Sequence, residues 1–131
     1  MKPDPLFGLA TLFLSTLVQG SPEGLLEAYQ AEGAGPFDAA AGQSAWVREQ
    51  RSPESPQVRS CASCHGNDLT RPGKHLKTGK LIEPLATSVN PARLADAKEV
   101  EKWFRRNCRW TLGRACTPQE KGDFVSYISS Q

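Results

Sequence analysis

The chain is 131 residues long, enough for one domain and not comfortably enough for two. Sixteen Lys and Arg against 14 Asp and Glu leave a net charge of only +2, which excludes the strong basic excess that nucleic-acid binding calls for. With 38% hydrophobic and 23% charged residues the composition is not that of a disordered chain, and 11 Gly and 10 Pro predict short elements joined by many turns.

Residues 6–18 form an uncharged apolar run of 13 residues. A membrane-spanning helix needs roughly 20, so the run is too short to span, and no stable membrane insertion is expected. It has the length of a signal-peptide core, and Val18-Gln19-Gly20 ends in a small residue fit for cleavage. Residues 1–20 therefore read as a removable export leader, with the unusual feature that Asp4 offsets Lys2 at its start. Its loss removes one Lys and one Asp and leaves 111 residues at the same +2. Export also places the four cysteines in an oxidising compartment.

Ser21-Pro22 caps and starts a first helix, with Leu25, Leu26 and Tyr29 at helical spacing and Gly33-Ala34-Gly35-Pro36 ending it. Asp38 caps a second helix that runs to about Gln50, with Ala41, Ala45 and Trp46 on one side. Residues 51–59 read as a loop. Residues 67–91 show no period and are expected to form an extended wrap broken by turns. Asp96 and Glu99 form an N-cap and N3 pair that opens the clearest helix. On one of its faces lie Val100, then Trp103 or Phe104, then Asn107 or Cys108. After Gly113, the run Thr117-Pro118-Gln119-Glu120 opens a last helix with Phe124, Tyr127 and Ile128 on its apolar face. No run alternates long enough for a convincing strand. The expected fold class is all-α, with four or five helices and a long irregular middle.

Between these elements stands Cys61-Ala62-Ser63-Cys64-His65. C-x-x-C-H is the attachment signature of c-type haem. Two thiols on one helical turn reach the two vinyl groups of one porphyrin edge, and the adjacent histidine is carried over the ring face. Its Nε2 can bind iron while Nδ1 donates to a carbonyl, for which the segments around Pro72 and Pro84 are candidates. A thioredoxin-like dithiol would need a βαβ setting that the pattern lacks. A structural zinc site would join Cys61 and Cys64 to Cys108 and Cys116, but the spacing within the second pair is wider than usual. Haem also accounts for the histidine, for export and for a small helical chain, whose core a covalent cofactor would enlarge.

The second axial ligand of an electron-transfer cytochrome c is usually methionine. The only methionine here is Met1, so an ordinary His/Met carrier is excluded unless a partner supplies the ligand. The remaining candidates are His75, Lys74, Lys77, Lys80, Asn90, Asn107, or no residue at all. His75 sits in a polar, lysine-rich stretch. Asn107 lies in line with Val100 and Trp103 on a face expected to be buried, where an amide needs its polar groups satisfied. Cys108 and Cys116, eight apart, should form a disulfide in an oxidising compartment and limit motion of the segment carrying Asn107. Lys102, Arg105, Arg106, Arg109 and Arg114 form a basic cluster that reads as a solvated helix face, a dock for an acidic redox partner, or a contact for haem propionates. Trp46, Trp103 and Trp110 read as core or haem-packing residues.

The stretches AEGAGPF, CASCHGNDLTRPGKHLKTGKLIEPLATSVNPARLAD and VEKWFRRNCRWTLGRACTPQEKGDF together resemble the Sphaeroides haem protein family, small oxygen-binding monohaem cytochromes c of the periplasm. The likeness runs over roughly residues 25–128, and the run Trp103-Phe104-Arg105-Arg106-Asn107-Cys108 with Cys116 eight beyond is its most particular part. The resemblance implies a class I cytochrome c fold with additional N-terminal helical structure, formed by residues 21–131 as a single domain. It implies one covalent haem c per chain on Cys61 and Cys64, with His65 as proximal ligand and Asn107 as distal ligand of the ferric iron. It implies a Cys108–Cys116 disulfide beside the haem. It further implies binding of oxygen, nitric oxide or carbon monoxide after reduction, with a dihaem cytochrome c and a membrane b-type cytochrome as electron donors. Asn107 would gate any oxygen or nitric oxide reduction or oxygenation, although no reaction follows from the sequence. The alternative is a coordinatively saturated electron shuttle, with His65 paired to His75 or Asn107 in both redox states.

Overall fold

Helix-start chemistry sets the boundaries of the main elements. The computed structural model of the chain describes residues 20–53 and 55–131, so the expected leader lies outside the described residues except for Gly20. Helix α1 (Pro22–Ala31) is capped by Ser21, whose Oγ accepts from the Gly24 amide at 3.0 Å. Helix α2 (Ala39–Val47) is capped by Asp38, which accepts from Ala40 at 2.8 Å. It stops at Val47 rather than near Gln50, because Arg48 turns to extended backbone and Gln50 enters a ladder.

That ladder is a correction to the strand-free reading. Strand β1 (Gln50–Arg51) pairs antiparallel with β2 (Val58–Arg59), and β3 (Gly73–Lys74) pairs with β4 (Leu81–Ile82). Segments of two residues need no alternating pattern, so nothing in the hydropathy announces them. Between the ladders lies α3 (Ala62–His65), a single helical turn, and a 3₁₀ turn (Pro91–Leu94) follows them. Helix α4 (Ala97–Leu112) starts at Asp96, which accepts from Lys98 and Glu99, and ends at Gly113 in the left-handed conformation (φ 73°) that a glycine adopts without strain. Only half of the expected reciprocal cap forms there, because the Glu99 carboxylate pairs with Lys102 instead. Helix α5 (Pro118–Ser129) has the full box: Thr117 Oγ1 accepts from Glu120 N, and the Glu120 carboxylate accepts from Thr117 N at 2.8 Å.

Helices α1 and α2 both pack on α5. Leu25, Tyr29, Trp46, Phe124, Val125, Tyr127 and Ile128 are buried between them. Trp46 meets Phe124 and Tyr127 edge-on at 6.0 and 5.9 Å, a favoured aromatic geometry. The inner face of α2 is centred on Gly42 and Trp46, and Ala41 is exposed. The reason is backbone contact: a β-carbon at Gly42 would fall on the carbonyl of Asp123 in α5, and one at Gly122 would fall on the ring of Phe37. Side-chain periodicity does not report a contact made by the lack of a side chain. The architecture is all-α apart from two minimal ladders, and the α1–α2–α5 group forms one wall of the site described next.

Two outcomes follow. In an open helix, Gly→Ala stabilises by about 1 kcal/mol. Gly42→Ala should instead destabilise, by about 1–3 kcal/mol, because α5 must move away; urea unfolding reads the sign. The second concerns Glu120, whose carboxyl the Arg114 guanidinium (2.7 and 2.8 Å) holds at about 2. A depressed carboxylate stabilises the fold above its unfolded value, near 4.5, and that gain fades as pH falls through about 2. The melting temperatures of wild type and Glu120→Gln should therefore differ at neutral pH and converge between about pH 4.5 and 2.

Candidate haem site

Turn α3 brings Cys61, Cys64 and His65 together, with Cys64 N and His65 N both donating to the Cys61 carbonyl (3.3 and 3.1 Å). All three line a cavity of about 790 Å³, within the size range of cofactor sites. One wall is apolar, built from Trp46, Leu85, Leu94, Phe104, Phe124 and Ile128. Ser60 and Ser63 tie the start of the turn, the Ser60 amide donating to Ser63 Oγ at 2.9 Å. Trp46 supports its end by donating Nε1–H to the Gly66 carbonyl at 3.0 Å, with its ring against the His65 imidazole at 5.4 Å. Strand β3 closes on the turn so tightly that a β-carbon on Gly73 would strike the Cys64 carbonyl and stand 2.9 Å from His65 Cα.

The two thiols are free. Burial pushes the Cys61 thiol up to about 11, with Cys64 adding to the shift, so it stays protonated. Burial, helped by the nearby Arg93 guanidinium, pushes the His65 imidazole down to about 4. It is therefore neutral at pH 7, the form that offers a lone pair to a metal. Two free thiols and a neutral imidazole on one turn, facing a largely apolar cavity, are a donor set that fits covalently attached haem.

Helix α4 supplies the facing residues. Val100, Cys108 and Thr111 are buried and Phe104 is half-buried, while Trp103 and Asn107 lie one position round the helix, exposed at the cavity. Asn107 and Trp103 thus both line the cavity that faces Cys61, Cys64 and His65. Trp46 is core, and Trp110 is half-buried in the cavity wall. Cys108 and Cys116 are joined by a disulfide with Cα atoms 5.6 Å apart, directly after Asn107. A disulfide offers no thiolates, so the four-cysteine zinc alternative falls.

The other candidates sort by position. Lys77, Lys80 and His75 line the cavity; Lys74 and Asn90 do not. Asn90 Nδ2 donates to the Pro84 carbonyl at 3.0 Å, which also accepts from Arg93 Nε at 2.9 Å. His75 is more than a solvated loop residue. Its Nδ1 accepts from the amides of Lys77 and Thr78, and its ring packs on Trp110 at 5.7 Å. The Arg59 guanidinium lies 3.7 Å from the Trp110 ring centre.

With this geometry in hand, the relatives are informative. A family profile described as a domain of unknown function (DUF1924) matches residues 32–128. The cytochrome c-type protein SHP of Cereibacter sphaeroides is 40% identical over 127 residues, covering 92% of this chain and 97% of that one. The chain belongs to the SHP family of c-type cytochromes. A solved structure of oxidised SHP, described as an oxygen-binding cytochrome c, superposes with a TM-score of 0.78 at 42% identity, over 86% of this chain and 99% of that one. Cytochrome c'' of Methylophilus methylotrophus is 39% identical over 84 residues, 64% of this chain and 58% of that one. Its oxidised crystal structure superposes with a TM-score of 0.71 at 35% identity, over 82% and 91% of the two chains. Its solution structure is presented as giving insight into haem-ligand detachment. The fold of this SHP-family member is accordingly the helical cytochrome c fold with added N-terminal helices, and membership implies covalently bound haem c.

Sequence reasoning missed two supports of the site. Arg93 lines the cavity and biases His65, but an arginine in an aperiodic stretch gives no signal. Glu101 of α4 accepts from Tyr29 of α1 and from Lys121 of α5, each at 2.7 Å. Burial alone would raise the Glu101 carboxyl, but these hydrogen bonds outweigh it and hold it below the ordinary carboxylate range. The tie fastens the helix that carries Asn107 to both neighbours.

Replacing both Cys108 and Cys116 by Ala opens a short loop and should cost about 2–3 kcal/mol. Denaturant unfolding of the oxidised protein measures it, and a reducing agent should bring wild type down to the level of the variant.

Proposed function

We propose that this SHP-family cytochrome is a periplasmic monohaem protein that takes up oxygen or nitric oxide once it has been reduced. Residues 1–20 act as the export leader, and residues 21–131 form a single cytochrome c domain. Cys61 and Cys64 would hold the haem by thioether bonds, and His65 and Asn107 would be the residues that ligate its ferric iron. The observation that carries this reading is Asn107 lining the same cavity as the residue 61–65 turn, in a chain with no methionine after Met1. A relative described as an oxygen-binding cytochrome c supports it.

Bound haem supplies a redox-active iron at which a diatomic gas can be held. The protein does the rest. His65, neutral and packed against Trp46, offers its lone pair from a fixed direction. An amide is a neutral, modest donor, held better by ferric than by ferrous iron. Once the iron is reduced, the Asn107 amide would be free to turn, and its NH₂ group could donate a hydrogen bond to a gas held in the cavity. The Cys108–Cys116 bridge and the Glu101 tie hold the backbone of α4 and would limit that motion to the side chain. Electrons come from a partner, for which a dihaem cytochrome c and a membrane b-type cytochrome are the proposed donors.

Absorption spectra of the purified protein test this directly: ferric, then dithionite-reduced, then with carbon monoxide. The ferric form should be low-spin, and the reduced form should be high-spin and shift at once with carbon monoxide. Asn107→Ala should retain haem but lose the ferric low-spin spectrum. A reduced form that stays low-spin and ignores carbon monoxide would overturn the gas-binding reading in favour of a saturated shuttle. His75 would then be the first residue to replace.

A further inference from the structure

We propose that Tyr29 and Glu101 form a one-electron redox site outside the haem cavity, Tyr29 giving the electron and Glu101 taking the phenolic proton. Neither residue lines the cavity. The Tyr29 hydroxyl donates to Glu101 Oε1 at 2.7 Å, within the reach at which a base takes a proton directly. The other carboxylate oxygen accepts from Lys121 Nζ at 2.7 Å. Burial opposes the charge on Glu101, but the hydrogen bonds from Lys121 and Tyr29, and then the charges of Lys121 and Arg105, keep the carboxylate ionised. That is the form with room for a proton. Burial, then the hydrogen bond to Glu101 and the charges of Glu101 and Glu32, hold the phenol protonated at rest.

Loss of an electron turns a phenol from a weak acid into a strong one. The O–H proton of Tyr29 then crosses to Glu101 Oε1 as the electron leaves, giving a neutral tyrosyl radical and a neutral carboxylic acid. No charge is left on the buried ring, where one would be costly. Lys121, 20% exposed along its side chain, stays in contact with water when its partner is neutralised. The other redox-prone side chains of the core lack such a base. Tyr127 is as buried as Tyr29, 3% exposed against 2%. Burial and the charge of Asp68 act on its hydroxyl, with no hydrogen bond to a carboxylate. The Trp46 indole donates to the Gly66 carbonyl, which is no base. The Glu101 side chain is 38% exposed, so the Tyr29 hydroxyl lies one carboxylate from solvent and an oxidant need not enter the core. The oxidant is nitrogen dioxide, the one-electron oxidant radical formed where nitric oxide meets oxygen. It takes the electron and leaves as nitrite, while the proton stays on Glu101. A diffusible one-electron reductant returns the electron, and Glu101 returns the proton. The source of the oxidant rests on the gas-binding reading; the redox site does not.

The test exposes the ferric holoprotein to photogenerated tris(bipyridine)ruthenium(III), which removes one electron at a time. Rapid freezing and electron paramagnetic resonance should show a neutral tyrosyl radical. The chain has two tyrosines, so a signal kept in Tyr127→Phe places the radical on Tyr29 whether or not the reciprocal variant folds. Tyr29→Phe should lose the signal. Glu101→Gln keeps the phenol but removes the base, and should slow radical formation by about a hundredfold. Pulse-generated nitrogen dioxide should give the same radical, and its failure to do so would overturn the choice of oxidant. A tyrosyl signal that survives Tyr29→Phe or disappears in Tyr127→Phe would overturn the site. So would a tryptophan radical in wild type, or wild-type kinetics in Glu101→Gln. Carbon monoxide uptake by the reduced wild type reports the gas-binding reading separately, so each can fail alone.

Discussion

A helix of one turn cannot hold itself, because the cost of nucleation is met and no propagation follows. Turn α3 is such a helix, and with its N-cap Cys61 it brings Cys61, Cys64 and His65 to the cavity. What keeps it helical is outside it: the Trp46 hydrogen bond to Gly66, the Ser60–Ser63 contact at its start, and the backbone of Gly73 pressed on the Cys64 carbonyl. Trp46 in turn is placed by the crossing of α2 on α5, which is as close as it is because Gly42 and Gly122 have no side chains. The position of His65 therefore depends, through one indole ring, on a glycine contact between helices that bear no ligand.

The same dependence runs along α4. Asn107 lies within a helix capped at one end by Asp96 and Gly113 at the other, crosslinked by Cys108 to the lead-in of α5, and tied through Glu101 to Tyr29 and Lys121. The two sides of the cavity thus differ in kind. The turn with the thiols is weak by itself and held by packing. The helix with the asparagine is strong by itself and fastened at three points. A side chain on a rigid helix is well suited to moving alone, without the backbone following.

The elements legible in the sequence were those with a local cause. Ser21, Asp38, Asp96 and Thr117 all cap helices in the structure, because a cap is a contact between residues two or three apart. The stripe of α4 that faces the site was legible to within one helical position: Phe104 and Cys108 are the more buried of each pair of alternatives, and all four residues line the cavity. The two short ladders, the burial of Gly42 in place of Ala41, and the partners of Glu101 were not legible. Each comes from segments far apart in the chain, and none leaves a periodic trace.

The chain order of Cys61, Cys64 and His65 was enough to name the chemistry, since covalent haem attachment needs two thiols and an imidazole within one turn and nothing more distant. The family likewise followed from short motifs. Which face of the molecule is cationic was a different matter. Four basic residues of α4 and Arg114 just beyond it read as one cluster in the sequence, yet acids on the same helix and on α5 neutralise two of them. Lys77 and Lys80 of the β3–β4 hairpin line the same cavity as Arg106 and Arg109 of α4, because charges sum over distance in space and not over distance along the chain.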